Sequence, residues 1–264
     1  MNQSLQIMYK NHQLNISYFL RPGADKTLFY LHGGACSKDD FQDSINVPEL
    51  QKYTLVSYDY PGCGHSTYPE SAQFDIDDLV EITHSVISQL KLKNIILIGH
   101  STEGLVALKY ILKYGNIQGF ISVEGNVHSD NCNFSRKVSK QTLEEFTTSG
   151  IQELISTLKS SHNKGFETWA NTIETYSSPK AFYDVCPTLV KYCDDKHLIE
   201  QFCSLSIPKI YLYGSENKDS LSFLKYLEKN NCCEIAGISK SNHFPFYDNP
   251  EEYYKVVNSF VLKY

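Results

Sequence analysis

Ser101 is a serine whose neighbours suggest that its hydroxyl acts as a nucleophile. It follows the apolar run Ile95–Ile98 and the dipeptide Gly99-His100, and a helical pattern comes next. A strand–turn–helix junction of this kind lifts a hydroxyl out of the packed backbone and beside a base. Glu103 departs from the pattern, because a second glycine usually occupies that position. We expect its side chain to make a polar contact with the adjacent loops and to take no part in the chemistry.

His243 is the candidate base for this nucleophile. It follows the apolar segment Cys233–Ile238, within the sequence Ser241-Asn242-His243-Phe244-Pro245. The other eight histidines have no comparable position after a strand. Because a serine is weak at its ordinary pKa, it needs such a base to attack a carbonyl carbon.

The elements that must position these residues alternate along the chain. Helical patterns separate the later apolar and β-branched runs, and this alternation predicts a mostly parallel sheet covered by helices on both faces. The predicted strands are Leu5–Tyr9, Leu14–Leu20, Thr27–Leu31, Tyr53–Tyr58, Asn94–Ile98, Phe120–Val123, Lys209–Tyr213 and Cys233–Ile238. The helices predicted between and after them are Asp75–Leu90, Leu105–Tyr114, Leu221–Lys229 and Pro250–Leu262.

Residues 129–206 interrupt this alternation. They contain no convincing strand pattern and several helical ones. The helical patterns are Lys140–Phe146, Ile151–Ser160, Phe166–Thr175, Ala181–Tyr192 and Lys196–Cys203. We therefore predict a helical insertion between the sixth and seventh strands.

Four motifs in this order resemble the α/β-hydrolase family over nearly the whole chain. They are His32-Gly33-Gly34, Asp59-x-Pro61-Gly62-x-Gly64-x-Ser66, Gly99-His100-Ser101 and Ser241-Asn242-His243-Phe244-Pro245. The resemblance implies an α/β fold, with a mostly parallel central sheet flanked by helices and a helical cap inserted after the sixth strand. It implies a core of residues 1–128 and 207–264 and a lid of residues 129–206.

The same resemblance implies the roles of the site residues. Ser101 would be the nucleophile and His243 the base. The backbone N–H groups of Gly34 and Thr102 would form the oxyanion hole, which stabilises charge that appears only in the transition state. The resemblance implies no metal and no organic cofactor.

The acid that orients His243 is open between two residues. Most family members carry an aspartate shortly after the seventh strand, but Asn217 occupies that position here. An amide cannot supply the negative charge that stabilises an imidazolium. Glu124 ends the sixth strand, at the sheet edge where α/β proteins place their sites, and we favour it. Asp219 is the alternative, and Glu216 is a weaker one.

Composition limits the classes of partner. The chain has 264 residues, 41% hydrophobic and 20% charged, with a net charge of −6 and a pI near 5.8. The sequence contains no basic stripe of the kind that binds nucleic acids, and no apolar run reaches the length of a membrane span. Oligomeric state is left open.

The cysteines and the N-terminal residues predict a cytoplasmic location. The eight cysteines form no C-x-x-C pair or zinc spacing, so we interpret them as scattered reduced thiols. Residues 1–6 lack the pattern of a signal peptide.

Together these features predict a serine hydrolase that cleaves an ester or thioester. Aromatic residues are frequent in the insertion, which favours a small, mainly apolar acyl or aromatic substrate. They are Phe146, Phe166, Trp169, Tyr176, Phe182, Tyr183, Tyr192 and Phe202. The alternatives are a carbon–carbon bond hydrolase, a cyclase or an acyltransferase using the same residues, or a small-molecule receptor of the same fold.

Overall fold

A single eight-stranded sheet organises the protein in the computed structural model, which describes residues 3–264. The strands are β1 (Gln3–Tyr9), β2 (His12–Arg21), β3 (Thr27–Leu31), β4 (Thr54–Tyr58), β5 (Ile95–His100), β6 (Gly119–Val123), β7 (Lys209–Gly214) and β8 (Glu234–Ile238). Their order is β1-β2-β4-β3-β5-β6-β7-β8. The pairs β1–β2 and β2–β4 are antiparallel and the others parallel, so the predicted fold class is confirmed.

Helices cover both faces of this sheet. They are α1 (Ile76–Gln89), α2 (Thr102–Tyr114), α3 (Asn133–Val138), α4 (Leu143–Glu145), α5 (Ile151–Lys159), α6 (Lys164–Tyr176), α7 (Pro179–Cys193), α8 (Leu198–Ser204), α9 (Leu224–Lys229), α10 (Pro245–Asp248) and α11 (Pro250–Lys263). Every residue of β3, β5, β6 and β7 is buried, as expected for parallel strands between two helical layers.

Some elements differ from the sequence-based expectation. Helix α2 begins at Thr102 rather than at Leu105, because the turn at Ser101 leads directly into the helix. The short helices α3 and α10 and the 3₁₀ segment Lys38–Asn46 were not predicted. They are too short for a helical period to stand out from the sequence.

The segment between β6 and β7 contains helices α3–α8, as the sequence predicts. It is attached to the turn after β3 by two hydrogen bonds. The indole Nε1 of Trp169 donates to the carbonyl oxygen of Gly34 at 3.0 Å. The hydroxyl of Ser177 donates to the carbonyl oxygen of Ala35 at 2.7 Å. The insertion therefore lies beside the turn that contains Gly34.

The cysteines correct one expectation. Cys203, at the end of α8, and Cys232, before β8, form a disulfide, while the other six cysteines are free. The interpretation of all eight as reduced thiols is therefore wrong for these two. They lie 29 residues apart in sequence, and only the fold brings them together. The cytoplasmic location rested partly on that interpretation and stays a prediction.

Loss of this disulfide is expected to destabilise the protein. Cys203→Ser should lower the free energy of unfolding by about 2–4 kcal/mol, because the cross-link restricts the unfolded chain. Urea denaturation with and without a reducing agent measures the effect, and Cys233→Ser, next to the disulfide, is the matched control. Identical transitions of the wild type in both buffers would contradict the prediction.

None of the helices within residues 3–264 has the length and apolar character needed to cross a membrane.

Candidate active site

Ser101 lies at a strained turn between β5 and α2. Its backbone has φ 53° and ψ −123°, a combination that non-glycine residues rarely adopt. Two hydrogen bonds to the end of β6 and the turn beyond it hold this backbone in place. The N–H of Ser101 donates to the carbonyl oxygen of Val123, and the N–H of Asn126 donates to the carbonyl oxygen of Ser101, both at 3.0 Å. The turn thus presents the hydroxyl at the carboxyl edge of the sheet.

Two glycines provide the close packing that this turn needs. A Cβ atom on Gly99 would lie 2.6 Å from the carbonyl oxygen of Glu103. A Cβ atom on Gly104 would lie 2.5 Å from the Cα of Gly125, in the turn after β6. Helix α2 therefore comes closest to the turn after β6 at Gly104, and position 103 tolerates a side chain.

The side chain of Glu103 is buried, and the expected polar contact is absent. Its Oε2 atom has no hydrogen-bond partner within residues 3–264. Burial raises the pKa of Glu103 well above its ordinary value, and the neighbouring Asp40 adds to the rise. The side chain is therefore favoured as a neutral acid, and our expectation of a contact with the adjacent loops is wrong.

This buried pair predicts a pH-dependent stability. Burial raises the pKa of Asp40 from 3.8 to about 7, and the pKa of Glu103 also rises. Raised folded-state values stabilise the protein below the unfolded-state pKa, and this stabilisation is lost as the pH rises through the folded-state pKa. The free energy of unfolding should therefore fall as the pH rises from about 4 to about 7, and Glu103→Gln should make that fall smaller.

Urea denaturation across this pH range tests the prediction. Glu70→Gln, an exposed carboxylate replaced in the same way, is the control. Parallel pH profiles for the wild type and Glu103→Gln would contradict it.

His243 contacts the serine through one side of its ring. Its Nε2 atom lies 3.0 Å from the Oγ atom of Ser101. The Nδ1 atom on the other side lies 3.5 Å from Oε2 of Glu124. If Nε2 accepts the serine proton, the ring carries its own proton on Nδ1, where it faces the carboxylate. This order of groups is the one that activates a serine.

Glu124 is the acid that the fold brings to the histidine. It is 2% exposed and lies in a turn with φ 49° directly after β6. Its Oε1 atom accepts hydrogen bonds from the N–H of Gly214 at 2.8 Å and from the Nδ2 of Asn217 at 3.2 Å. These donors hold the carboxylate in place, and they leave Oε2 facing the ring of His243.

The two alternative acids lie elsewhere. Asp219 and Glu216 are both exposed on the segment Ser215–Ser220, and neither forms an ion pair or hydrogen bond with His243. Sequence reasoning treated Asn217 as a lost acid and missed its contact with the carboxylate of Glu124. The Gly214-x-x-Asn217 spacing was the available signal, since it places this side chain at the usual acid position.

The backbone groups expected to form an oxyanion hole lie beside the serine. Gly34 and Thr102 line the same cavity as Ser101. A Cβ atom on Gly34 would lie 3.1 Å from the hydroxyl oxygen of Thr102, so the two turns are in contact. Within residues 3–264, neither N–H donates a hydrogen bond to a protein acceptor. Both donors are thus available to a ligand.

Buried polar groups hold the turns around this site. His32 accepts a hydrogen bond from the N–H of Tyr60 at 3.1 Å, which ties the turn after β3 to the turn after β4. His100 donates from Nε2 to the carbonyl oxygen of His243 at 2.9 Å, and burial lowers the pKa of His100 well below its ordinary value. A neutral His100 therefore supports the loop that carries His243.

A cavity of about 150 Å³ opens onto the serine. Four aromatic residues of the insertion line it, namely Phe134, Phe166, Trp169 and Phe182. The other aromatic residues named from the sequence lie outside its lining, and Tyr176 is 50% exposed. Side-chain amides form much of the rest of the wall: Asn126, Asn131, Asn133, Asn217 and Asn242. The cavity is therefore small and more polar than the sequence suggested.

The comparisons with known proteins agree with this fold. A family model described as alpha/beta hydrolase fold matches residues 26–250. A putative esterase/lipase of Mycoplasma pneumoniae is 23% identical over 89% of this chain and 91% of its own. A proline iminopeptidase of Saccharolobus solfataricus is 23% identical over 94% and 89%. An esterase structure from Exiguobacterium antarcticum has a TM-score of 0.79 and 19% identity, over 98% of this chain and 99% of its own.

The family match covers most of the chain, including the turns that carry Gly34, Ser101 and His243. Together with the sheet order and the turn at Ser101, it confirms the resemblance seen in the sequence. This protein belongs to the alpha/beta hydrolase fold family and is a hydrolase of that family.

Proposed function

We propose that this protein hydrolyses small esters or thioesters, with Ser101 as the nucleophile. The observation that supports this most strongly is the 3.0 Å distance between Oγ of Ser101 and Nε2 of His243, with Glu124 behind the ring. The esterase names of a relative and of a structural neighbour support the same class of reaction.

The proposed reaction has two steps. His243 removes the proton of Ser101 as Oγ attacks the carbonyl carbon, and it returns that proton to the leaving alcohol or thiol. The acyl group stays on Oγ until a water molecule, deprotonated by His243, attacks it and releases the acid. The N–H groups of Gly34 and Thr102 would stabilise the oxyanion in both steps, and the charge of Glu124 would stabilise the imidazolium.

The cavity supports a small substrate. Its volume of about 150 Å³ is below the usual range for drug-sized ligands. The aromatic side chains of Phe166, Trp169 and Phe182 would contact an apolar or aromatic part of the substrate, as the sequence predicts. In this proposal the insertion that carries them, residues 129–206, is the lid.

Covalent labelling tests the proposed nucleophile. A fluorophosphonate probe should add one phosphonyl group to the intact protein, and peptide mass spectrometry should locate it on Ser101. Ser259→Ala, which removes an exposed hydroxyl on α11, is the matched control and should label normally. Labelling of Ser101→Ala to the same extent would show that another residue is the nucleophile. An unlabelled wild type that binds small esters without cleaving them would favour the receptor alternative.

A further inference from the structure

The turn that contains Gly34 includes an alanine in a backbone conformation that favours glycine. The N–H of Cys36 donates to the carbonyl oxygen of Gly33 at 3.1 Å, so residues 33–36 form a β-turn. Ala35, the third residue of this turn, has φ 55°, whereas the φ of Gly34 is not positive. This is the pattern of a type II turn, in which a side chain at the third position causes strain. The turn therefore needs contacts with its surroundings to keep this shape.

The strained residue is next to the proposed oxyanion donor. If Ala35 relaxed to negative φ, the peptide groups on either side of it would rotate, and Gly34 would shift with them. The N–H of Gly34 must lie within hydrogen-bond distance of the oxyanion to stabilise it. Displacements of about 1 Å at such a group can cost up to about a hundredfold in rate. The conformation of Ala35 therefore bears on the proposed chemistry.

Two side chains of the insertion donate to the carbonyl groups on either side of Ala35. The indole Nε1 of Trp169 contacts the oxygen of Gly34 at 3.0 Å, and the hydroxyl of Ser177 contacts the oxygen of Ala35 at 2.7 Å. No other group within residues 3–264 donates to either oxygen. Because the directions of both carbonyl groups depend on the φ and ψ of Ala35, these donors favour the strained conformation over the relaxed one.

Ser177 is held against the core by contacts that do not involve its hydroxyl. Its backbone forms a β-bridge with Cys63, in the turn after β4. The N–H of Ser178 donates to the carbonyl oxygen of Gly62 at 2.7 Å. Ser177 is also absent from the lining of the cavity. Removal of this hydroxyl should therefore change neither the attachment of the insertion nor a contact with substrate.

We infer that Trp169 and Ser177 are positioning residues, which hold the turn at Ala35 so that the N–H of Gly34 faces the oxyanion. This inference rests on the proposed function and adds a role for the insertion. In this role the insertion stabilises the transition state through the turn after β3, in addition to forming part of the cavity wall.

Ser177→Ala tests the inference by steady-state kinetics. We expect kcat for p-nitrophenyl butanoate to fall about tenfold and KM to stay within about twofold of the wild type, because the oxyanion donor acts mainly in the transition state. Ser156→Ala, an exposed serine on α5 of the same insertion, is the matched control and should keep the wild-type values. A wild-type kcat in Ser177→Ala would overturn the inference.

Two ketones separate a misplaced donor from a damaged cavity. The hydroxyl of Ser101 adds to the carbonyl carbon of 1,1,1-trifluoropentan-2-one, its proton passes to His243, and the carbonyl oxygen becomes an oxyanion. Pentan-2-one has the same carbon chain and serves as the ligand that forms no stable adduct. In Ser177→Ala we expect the inhibition constant of the trifluoroketone to rise about tenfold and that of pentan-2-one to stay the same. An equal rise for both ketones would overturn the inference.

A rescue variant tests whether the strain at position 35 is the cause. Glycine adopts positive φ without strain, so Ala35→Gly should reduce the need for the two donors. We expect the double variant Ser177→Ala, Ala35→Gly to recover kcat to within about threefold of the wild type. A double variant as slow as Ser177→Ala would overturn the role of the strained turn. Trp169→Phe, which removes the other donor, should raise the ratio of the two inhibition constants and is the second variant if Ser177→Ala does not fold.

The outcomes separate this inference from the proposed function. If the fluorophosphonate labels Ser101 and the wild type cleaves the ester, but Ser177→Ala does so at the same rate, only the positioning role fails. If Ser101 is not labelled and no ester is cleaved, the proposed function fails.

Discussion

Ser101→Ala is expected to lower kcat/KM for p-nitrophenyl butanoate by about 10⁵- to 10⁶-fold, because the proposed nucleophile is lost and His243 has no hydroxyl to activate. The residual rate would come from the oxyanion donors and from substrate binding. Initial rates of p-nitrophenol release measure the effect. Ser259→Ala, an exposed serine on α11, is the matched control and should hydrolyse the ester at the wild-type rate.

A Ser101→Ala variant that keeps a hundredth or more of the wild-type rate would contradict the proposed role. Circular dichroism and urea denaturation of the variant show whether it is folded, since Ser101 occupies a strained backbone position. Alanine at this position adopts the same φ with no more strain than serine, so we expect little change in the free energy of unfolding.

Glu124→Gln is expected to lower kcat by about 10³- to 10⁴-fold, because an amide cannot stabilise the charge of the His243 imidazolium. The glutamine still fills the buried position and still accepts hydrogen bonds from Gly214 and Asn217. Asp219→Asn, on the exposed segment after β7, is the matched control and should retain the wild-type rate. A larger loss in Asp219→Asn than in Glu124→Gln would place the acid after β7.

Moving the acid extends this test. Asn217 donates to Glu124 at 3.2 Å, so a carboxylate at position 217 would lie close to the same edge of the His243 ring. We expect the double variant Glu124→Gln, Asn217→Asp to be about 10- to 100-fold faster than Glu124→Gln alone. The single variant Asn217→Asp should be slower than the wild type, because two adjacent carboxylates would favour the protonation of one of them. A double variant as slow as Glu124→Gln would show that position 217 is out of reach of the ring.

The polar wall of the cavity changes the picture of the substrate. From the sequence, the aromatic residues of the insertion favoured a mainly apolar acyl group. Of the aromatic residues named from the sequence, the structure brings Phe166, Trp169 and Phe182 to the cavity. It adds Phe134 and polar residues such as Asn126 and Asp130 from the segment after β6.

Local patterns in the sequence predicted most of the fold. All eight strands and the long helices were recognised, because alternation and helical periodicity depend on neighbouring residues. The roles that we propose for Ser101 and His243 also rest on local sequence, because each residue follows a strand within a short motif. Residues 129–206 were recognised as helical for the same reason, although the short helix α3 was missed.

The choice of the acid could not be made from the sequence. Glu124 and Asp219 follow different strands, and either could serve a histidine on a third strand end. The choice depends on the order β6-β7-β8, which places the turns after β6 and β7 side by side. It also depends on where the loop after β7 points, and that loop carries Asp219 into solvent.

The sequence by itself determined the strand and helix pattern, the helical insertion, and the nucleophile and base that we propose, because each is written in residues close together in the chain. Tertiary structure decided which acid faces His243, that Glu103 is buried without a contact for Oε2, that Cys203 pairs with Cys232, and that the cavity wall is polar. These features depend on contacts between distant segments. A glutamate can occupy position 103, where a glycine is usual, because the close packing that requires glycine falls one residue later, at Gly104.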